Sequence, residues 1–242
     1  FNNKEAAIET WVKILSGDLR DEHFDGLAKF CNHLSLCSDE LLFKHCDIVL
    51  VKDQKIGSNL FMKPKINIQE NCNFIETALN ILARYPDAKI QFLKFLVFER
   101  DSQEEKHHTQ LALAFITAIR NEGSQSLKAD LSRLILTSAH LNANFLLQQI
   151  ADTGLDYEKA ILHGKLGEHQ KALDILVNKP QDHELAENYC DDLSLAKPDL
   201  KSTLLFTLLS IYLNPTSETN KEKFTTLAVD LINSRAKDLN GS

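Results

Sequence analysis

The sequence predicts an all-α chain: an α-solenoid of antiparallel helix pairs of the clathrin-heavy-chain and tetratricopeptide type. Three observations carry this. Leu is used 39 times and Val 6 times. Straight-chain Leu loses little rotamer freedom in a helix, whereas β-branched Val favours strands. Apolar residues recur at helical spacing from end to end, with no competing strand alternation. Eight Gly and five Pro in 242 residues leave few interruptions, which suits helices joined by short turns.

The elements follow in order. Ile8, Trp11, Val12 and Leu15 fall at i, i+3, i+4 and i+7, with Gly17 as the stop. Phe24, Leu27, Ala28 and Cys31 repeat the pattern. Ser38 precedes Asp39 and Glu40, an N-cap followed by first-turn acids, and the helix it opens carries Leu42, Cys46, Val49 and Leu50. Residues 53–71 break the rhythm with Gly57, Pro64 and several polar residues, and are expected to form an irregular surface loop. The period resumes with Ile75, Ala78, Leu79 and Leu82. Pro86 suits the first turn of the next helix, where its missing N–H costs nothing; that helix bears Ile90, Leu93 and Val97. A charged stretch, residues 99–108, leads into Leu111, Phe115, Ile116 and Ile119. Further stripes are Leu127, Leu131, Leu134 and Ile135, then Leu146, Leu147 and Ile150, closed by Gly154.

Residues 156–193 show the pattern most clearly. Asp156 is placed to cap a helix bearing Tyr157, Ala160, Ile161 and Gly164. Gly167 turns the chain. The returning helix carries His169, Ala172, Leu173 and Leu176. Pro180 breaks it, Asp182 can cap, and Leu185, Ala186, Tyr189 and Cys190 form a third stripe. The small residues Ala160, Gly164 and Ala172 permit close helix contact. Pro198 precedes an apolar helix from Leu200 to Leu213, expected to be buried on most sides; Pro215 ends it, and Leu227, Leu231 and Ile232 mark a last helix. About a dozen helices with one apolar stripe each favour a stack of hairpins over a compact bundle.

Composition excludes several functions. The formal charge is −7, from 27 basic and 34 acidic residues, divided 15 to 17 in residues 1–121 and 12 to 17 in residues 122–242. Neither half has the basic excess that phosphate neutralisation requires, so nucleic acid is not an expected partner. No apolar run approaches the roughly 20 residues needed to span a bilayer, so direct membrane insertion is not expected. Five Cys without paired spacing suit a reducing compartment. The chain begins mid-pattern at Phe1, and residues 1–242 are expected to form a single helical-solenoid fragment of a longer protein.

Reactive constellations are not evident. Cys31, His33, Cys37, His45 and Cys46 lie within sixteen residues but lack short paired metal-ligand spacing, and Cys31 and Cys46 fall on apolar stripes. No metal, cofactor or catalytic residue is assigned, and the chain is not expected to be an enzyme. His107 and His108 are read as solvated surface. No G-x-S-x-G, G-x-G-x-x-G or Walker A motif occurs. Gly164-Lys165-Leu166-Gly167 matches the G-x-x-G of RNA-binding KH loops, but the surrounding helical pattern makes it a helix–turn–helix corner.

One text is familiar. DYEKAILHGKLGEHQKALDILVNKPQDHELAENYC, residues 156–190, resembles the clathrin-heavy-chain-type repeat of vacuolar protein sorting tether subunits, and within them the branch specific to the CORVET complex. Its signature residues here are Tyr157, Ala160, Gly164, Gly167, Ala172, Leu173 and Tyr189. ETWVKILSGDL (9–19), HCDIVLVKDQKIGSNLF (45–61), HTQLALAF (108–115) and TLLFTLLSIYL (203–213) resemble further blocks of that family in order. The HOPS-specific paralogue, which acts at late endosomes and lysosomes, fits the first block and HGKLGEH less well. The resemblance implies a cytoplasmic protein, peripheral on early endosomes. It implies a scaffold segment that binds the class C core subunits of the tethering complex in vesicle transport and endosome fusion. It also implies an alternative: an adaptor for TGF-β or activin receptors and a Smad co-mediator. It supplies no cofactor and no catalytic residue, and it leaves the partner-binding face unknown.

Overall fold

The computed structural model describes residues 4–16, 26–63, 66–123, 125–179, 183–215 and 221–239. The expected stop at Gly17, Phe24 of the second stripe, Pro64, and the break and cap at Pro180 and Asp182 lie outside them. Among the described residues there are fourteen α-helices and no strand, the all-α, solenoid-like arrangement that the sequence predicts. Where the sequence pattern suggests one body, the chain groups into two compact units, residues 1–124 and 125–242.

The first unit holds α1 (Lys4–Ser16), α2 (Leu27–Ser35), α3 (Asp39–Lys52), α4 (Gln54–Ser58), α5 (Cys72–Leu82), α6 (Pro86–Lys94) and α7 (Glu105–Glu122). Its core is aromatic. Phe61 lies 6.0 Å, centroid to centroid, from Phe92 and 6.3 Å from Phe43, which in turn meets Phe74 at 5.2 Å. Leu42, Cys46, Val49 and Leu50 of α3 are buried as their spacing predicts. Ser38 stands at the N-cap of α3 in extended backbone, but its hydroxyl makes no capping bond. In α2 the buried residues are Phe30, Cys31 and Leu34, while Ala28 is exposed, so the stripe is rotated from the expected one. Pro86 occupies the first turn of α6.

Of the expected loop, residues 53–63 are more ordered than a free surface loop. Asp53 caps α4, its Oδ1 accepting the Ile56 N–H at 2.9 Å. Gln54 then caps a different helix: its Oε1 accepts the N–H groups of Asp87 (3.1 Å) and Ala88 (3.3 Å) at the start of α6. These donors would otherwise be orphaned at a helix N-terminus. Gly57 lets α4 lie against α3, since a Cβ there would stand 2.7 Å from Leu50 Cδ2. Leu60 and Phe61 enter the core. Polar composition hid this segment because its polar groups cap helices while only a few apolar residues anchor it.

The end of α6 brings another departure. The chain passes from Lys94 into a π-helical turn, Phe95–Glu99, which buries Phe95, Leu96 and Val97. The Arg100 N–H returns to the Phe95 carbonyl at 3.0 Å. Asp101 follows with φ of 48°. This tight reversal draws Ser102 inside, and with it the two histidines expected on the surface. His107 and His108 are 6% and 5% exposed. His107 Nδ1 lies 2.7 Å from Ser102 Oγ, and His108 Nε2 lies 2.6 Å from the Ser102 carbonyl. Glu99, Asp101, Glu104, Glu105 and Lys106 are exposed, but the first turn of α7 turns its histidines inward.

The second unit holds α8 (Gln125–Thr137), α9 (Ala143–Gln149), α10 (Asp156–Lys165), α11 (His169–Asn178), α12 (His183–Ala196), α13 (Lys201–Leu213) and α14 (Lys221–Leu239), with a 3₁₀ turn at Pro198–Leu200. The most extensive packing is α10 on α11 and α13 on α14. The Lys201–Asp238 ion pair at 2.8 Å links the start of α13 to the end of α14, as an antiparallel pair requires. Apolar on most sides, α13 buries Leu204, Leu205, Leu208 and Tyr212 against α11, α12 and α14. A remaining strip is open, with Phe206 52% and Leu213 59% exposed.

Burial sets a pH dependence. Desolvation holds His107 below its ordinary value of 6.5, and His45 and His169 shift the same way. A group whose folded-state pKa is depressed contributes stability that is present above its unfolded pKa and lost as pH falls below it. The urea midpoint should therefore fall as pH drops below about 6.5, and His107→Gln should flatten that fall. A midpoint independent of pH between 7 and 5.5 would contradict this.

Candidate functional site

The familiar text at residues 156–190 folds into one corner, and nearly every polar residue in HGKLGEH has a mechanical task. Leu155, rather than Asp156, stands at the N-cap of α10; Asp156 is a first-turn acid 3.3 Å from Lys159 Nζ. At the other end the helix closes in a Schellman motif. Gly167, at φ of 77°, donates its N–H to the Gly164 carbonyl at 3.0 Å, and Glu168 donates to the His163 carbonyl at 2.9 Å. A side chain at Gly167 would strain that left-handed conformation. Glu168 then stands at the N-cap of α11. Its carboxylate meets His163 Nδ1 at 2.6 Å and Lys171 Nζ at 2.7 Å, bracing the turn across both helices.

Gly164 serves a second purpose. A Cβ there would stand 2.4 Å from Tyr189 Oη and 3.1 Å from its Cε2, so the absence of a side chain admits the Tyr189 ring of α12. Tyr189 Oη lies 2.8 Å from His169 Nδ1 at the start of α11. Burial pushes the Tyr189 phenol well above its ordinary range, with the neighbouring Cys190 adding to it. Ala160, Ala172 and Leu173 are fully buried in the core shared by α10 to α14, and Tyr157 and Tyr189 pack against it half-buried. Six of the seven signature residues thus meet around one helix junction, while Gly167 forms the turn beside it.

Two polar ties escaped the helical period. Glu158 of α10 is buried, and its Oε1 accepts from Ser132 Oγ of α8 at 2.6 Å. Lys165 Nζ reaches the Ser138 carbonyl just past the C-terminal end of α8 at 2.8 Å, and the Leu136 carbonyl in its last turn at 3.4 Å. Apolar periodicity has no power to reveal a bond between polar residues 26 or 27 positions apart.

The cysteines and histidines of residues 31–46 do not converge. Cys31 and Cys46 are buried thiols pushed up to about 11, chiefly by desolvation. His33 stacks on Trp11 at 6.0 Å. Cys37 Sγ donates to the His33 carbonyl at 3.3 Å. Among the described residues no three His, Cys, Asp or Glu side chains are grouped to hold a metal ion, and no helix is long and apolar enough to cross a membrane. The Gly164–Gly167 loop is a helix corner rather than a phosphate cradle.

Helices paired through close small-residue contacts, with the signature text assigned to mechanical work, define a helical-repeat scaffold. Comparison with known proteins places it more closely. The human transforming growth factor-beta receptor-associated protein 1 is 35% identical over 258 residues, covering all of this chain and 30% of the human protein. The zebrafish (Danio rerio) homolog is 34% identical over 252 residues, covering 98% of this chain and 29% of that one. More distantly, the Caenorhabditis elegans vacuolar protein sorting-associated protein 39 homolog is 20% identical over 243 residues, covering 88% of this chain and 26% of the relative. Over the stretch it covers, the chain belongs to the transforming growth factor-beta receptor-associated protein 1 family. It spans about 30% of the length of these relatives. No family model matches the chain, and no solved structure matches it.

The corner yields two expectations. Leu173→Ala should cost roughly 2–5 kcal/mol in urea denaturation, the usual range for a buried Leu truncation; a loss below about 0.5 kcal/mol is typical of a surface site and would contradict its packing. Gly164→Ala should destabilise by about 1–2 kcal/mol, because overpacking outweighs the helix propensity that Ala adds. Tyr189→Phe removes the nearest atom, so the same change made in that background should cost less than half as much. An equal cost in both backgrounds would refute the Gly164–Tyr189 contact.

Proposed function

We propose that the chain is a scaffold segment of an endosomal vesicle-tethering complex of the CORVET type, and that it binds class C core subunits during vesicle transport and endosome fusion. The supporting observation is the alignment of the entire chain with receptor-associated protein 1 relatives at 31–35% identity, joined by more distant vacuolar protein sorting relatives. The mechanism is associative. Hairpins locked by the Gly164–Tyr189 junction and the Schellman turn keep binding surfaces at set separations. Catalysis has no part in it. The protein works in the cytoplasm, peripherally on early endosomes, held there by partners. The CORVET assignment is preferred to the HOPS paralogue because the identity is higher to the receptor-associated relatives than to the worm protein 39 homolog.

A second role is an adaptor for TGF-β or activin receptors and a Smad co-mediator; the name of the relatives supports its TGF-β receptor part. The two readings separate in one experiment. The purified chain is immobilised and exposed in turn to recombinant class C core subunits, HOPS-specific subunits and receptor cytoplasmic domains. Saturable binding to core subunits is expected. Binding to receptor domains alone would establish the adaptor role instead, and binding to neither, with intact helical circular dichroism, would overturn the scaffold role for this segment.

A further inference from the structure

The five cysteines differ in access. Cys31, Cys46 and Cys190 are buried, and desolvation pushes their thiols up to about 11, about 11 and about 12. A thiol held in its neutral form is a poor nucleophile, because the thiolate is the reacting species. Cys37 is half-buried, with its S–H donating to the His33 carbonyl at 3.3 Å. Cys72 alone is exposed. It is the first residue of α5 and opens onto a cleft of about 340 Å³ between α5 and the start of α7.

Exposure by itself makes no site. The second feature is His107, which lines the same cleft and is 6% exposed. Its ring is fixed: Ser102 Oγ lies 2.7 Å from Nδ1 and also accepts the Glu104 N–H at 3.3 Å. Ser102 is 1% exposed, and among the described residues its hydroxyl has no acceptor besides that nitrogen. Leaving a buried O–H unmatched is costly, so Ser102 donates to Nδ1 and the neutral imidazole carries its proton on Nε2. Burial favours that neutral form, holding the ring below its ordinary 6.5. Among the described residues Nε2 has no hydrogen-bond partner, and it is not sealed from solvent. The opening that His107 lines is the cleft. The cleft therefore presents an unmatched N–H donor beside the one exposed thiol.

The other lining groups narrow the ligand. Glu76 and Lys106 are paired with each other at 2.7 Å. Glu104 also lines the cleft and disfavours an anionic electrophile. What fits is a neutral compound with a hydrogen-bond acceptor conjugated to an electrophilic carbon. An α,β-unsaturated ketone, aldehyde or amide has both, and its acceptor oxygen is the atom on which charge develops as a thiolate adds. The volume lies at the small end of the usual ligand range, roughly 300–1,000 Å³, which suits a compact molecule.

We propose that Cys72 is a covalent modification site for small neutral α,β-unsaturated carbonyl compounds, with the His107 Nε2–H holding the carbonyl oxygen. Cys72 loses its thiol proton to water, and its Sγ bonds to the β-carbon. The C=C π pair shifts to give an enolate whose oxygen rests on Nε2–H. The α-carbon then takes a proton from water. The net change is addition of S–H across the double bond: no group leaves, and no external oxidant or reductant is consumed. The inference is independent of the tethering role, and the core-subunit binding experiment is unaffected by its outcome.

The test reacts the 242-residue chain, reduced and then freed of reductant, with methyl vinyl ketone and follows each cysteine by peptide mapping. Cys72 should be alkylated first, about tenfold faster than N-acetyl-cysteine-amide at the same pH, less than the roughly 10²–10³ that an oriented donor supplies in a site closed to water. Dithiodipyridine is the control, because it consumes thiols by disulfide exchange and has no carbonyl for His107 to hold. His107→Phe should bring the ketone rate at Cys72 down to that of the free amide while changing the dithiodipyridine rate by less than about twofold. If His107→Phe fails to fold, Ser102→Ala replaces it; releasing the second tautomer of the ring should lower the ketone rate about threefold. The proposal is overturned if Cys72 reacts no faster than N-acetyl-cysteine-amide, if another cysteine is labelled first, if the ketone rate is unchanged in the variant, or if both reagents slow equally in it.

Discussion

The structure rests on one constraint: an amphipathic helix has an apolar stripe that it cannot cover by itself. Within the second unit, α10 and α11 close the stripe formed by Ala160, Leu173 and Leu176, and α12 and α13 cover what remains of it. Burial of a large aliphatic side chain contributes about 1.5–3 kcal/mol, so several such positions outweigh any single polar contact in the corner. The small residues decide how closely the surfaces meet. With Ala160 and Ala172 in the seam and no side chain on Gly164, the Tyr189 ring can reach the junction of three helices. A bulkier residue at any of these places would hold the helices apart and leave the stripe partly wet.

Polar contacts then select among the packings that burial allows. Gln54 ties α4 to the N-terminus of α6, Glu158 ties α10 to α8, and Lys165 holds carbonyls at the C-terminal end of α8. Each satisfies a backbone or buried group that would otherwise cost about 1–3 kcal/mol. Their effect is to specify register. An apolar stripe tolerates a slide along its axis, but a cap that reaches two particular N–H groups does not.

This division explains what the sequence disclosed. Stripes such as Leu42–Cys46–Val49–Leu50 and Ile75–Ala78–Leu79–Leu82 were legible because burial depends on period. Pro86 and Gly167 were legible because their backbone chemistry is local. The corner residues Ala160, Gly164 and Tyr189 could be singled out by size and spacing, whereas Tyr189 as the specific partner of Gly164 could not. The burial of His107 and His108 leaves no mark in composition, because it depends on the reversal after the π-helical turn, which brings Ser102 inside to meet both rings. In the segment after α3 polar composition suggests solvated loop, whereas Asp53 and Gln54 are caps.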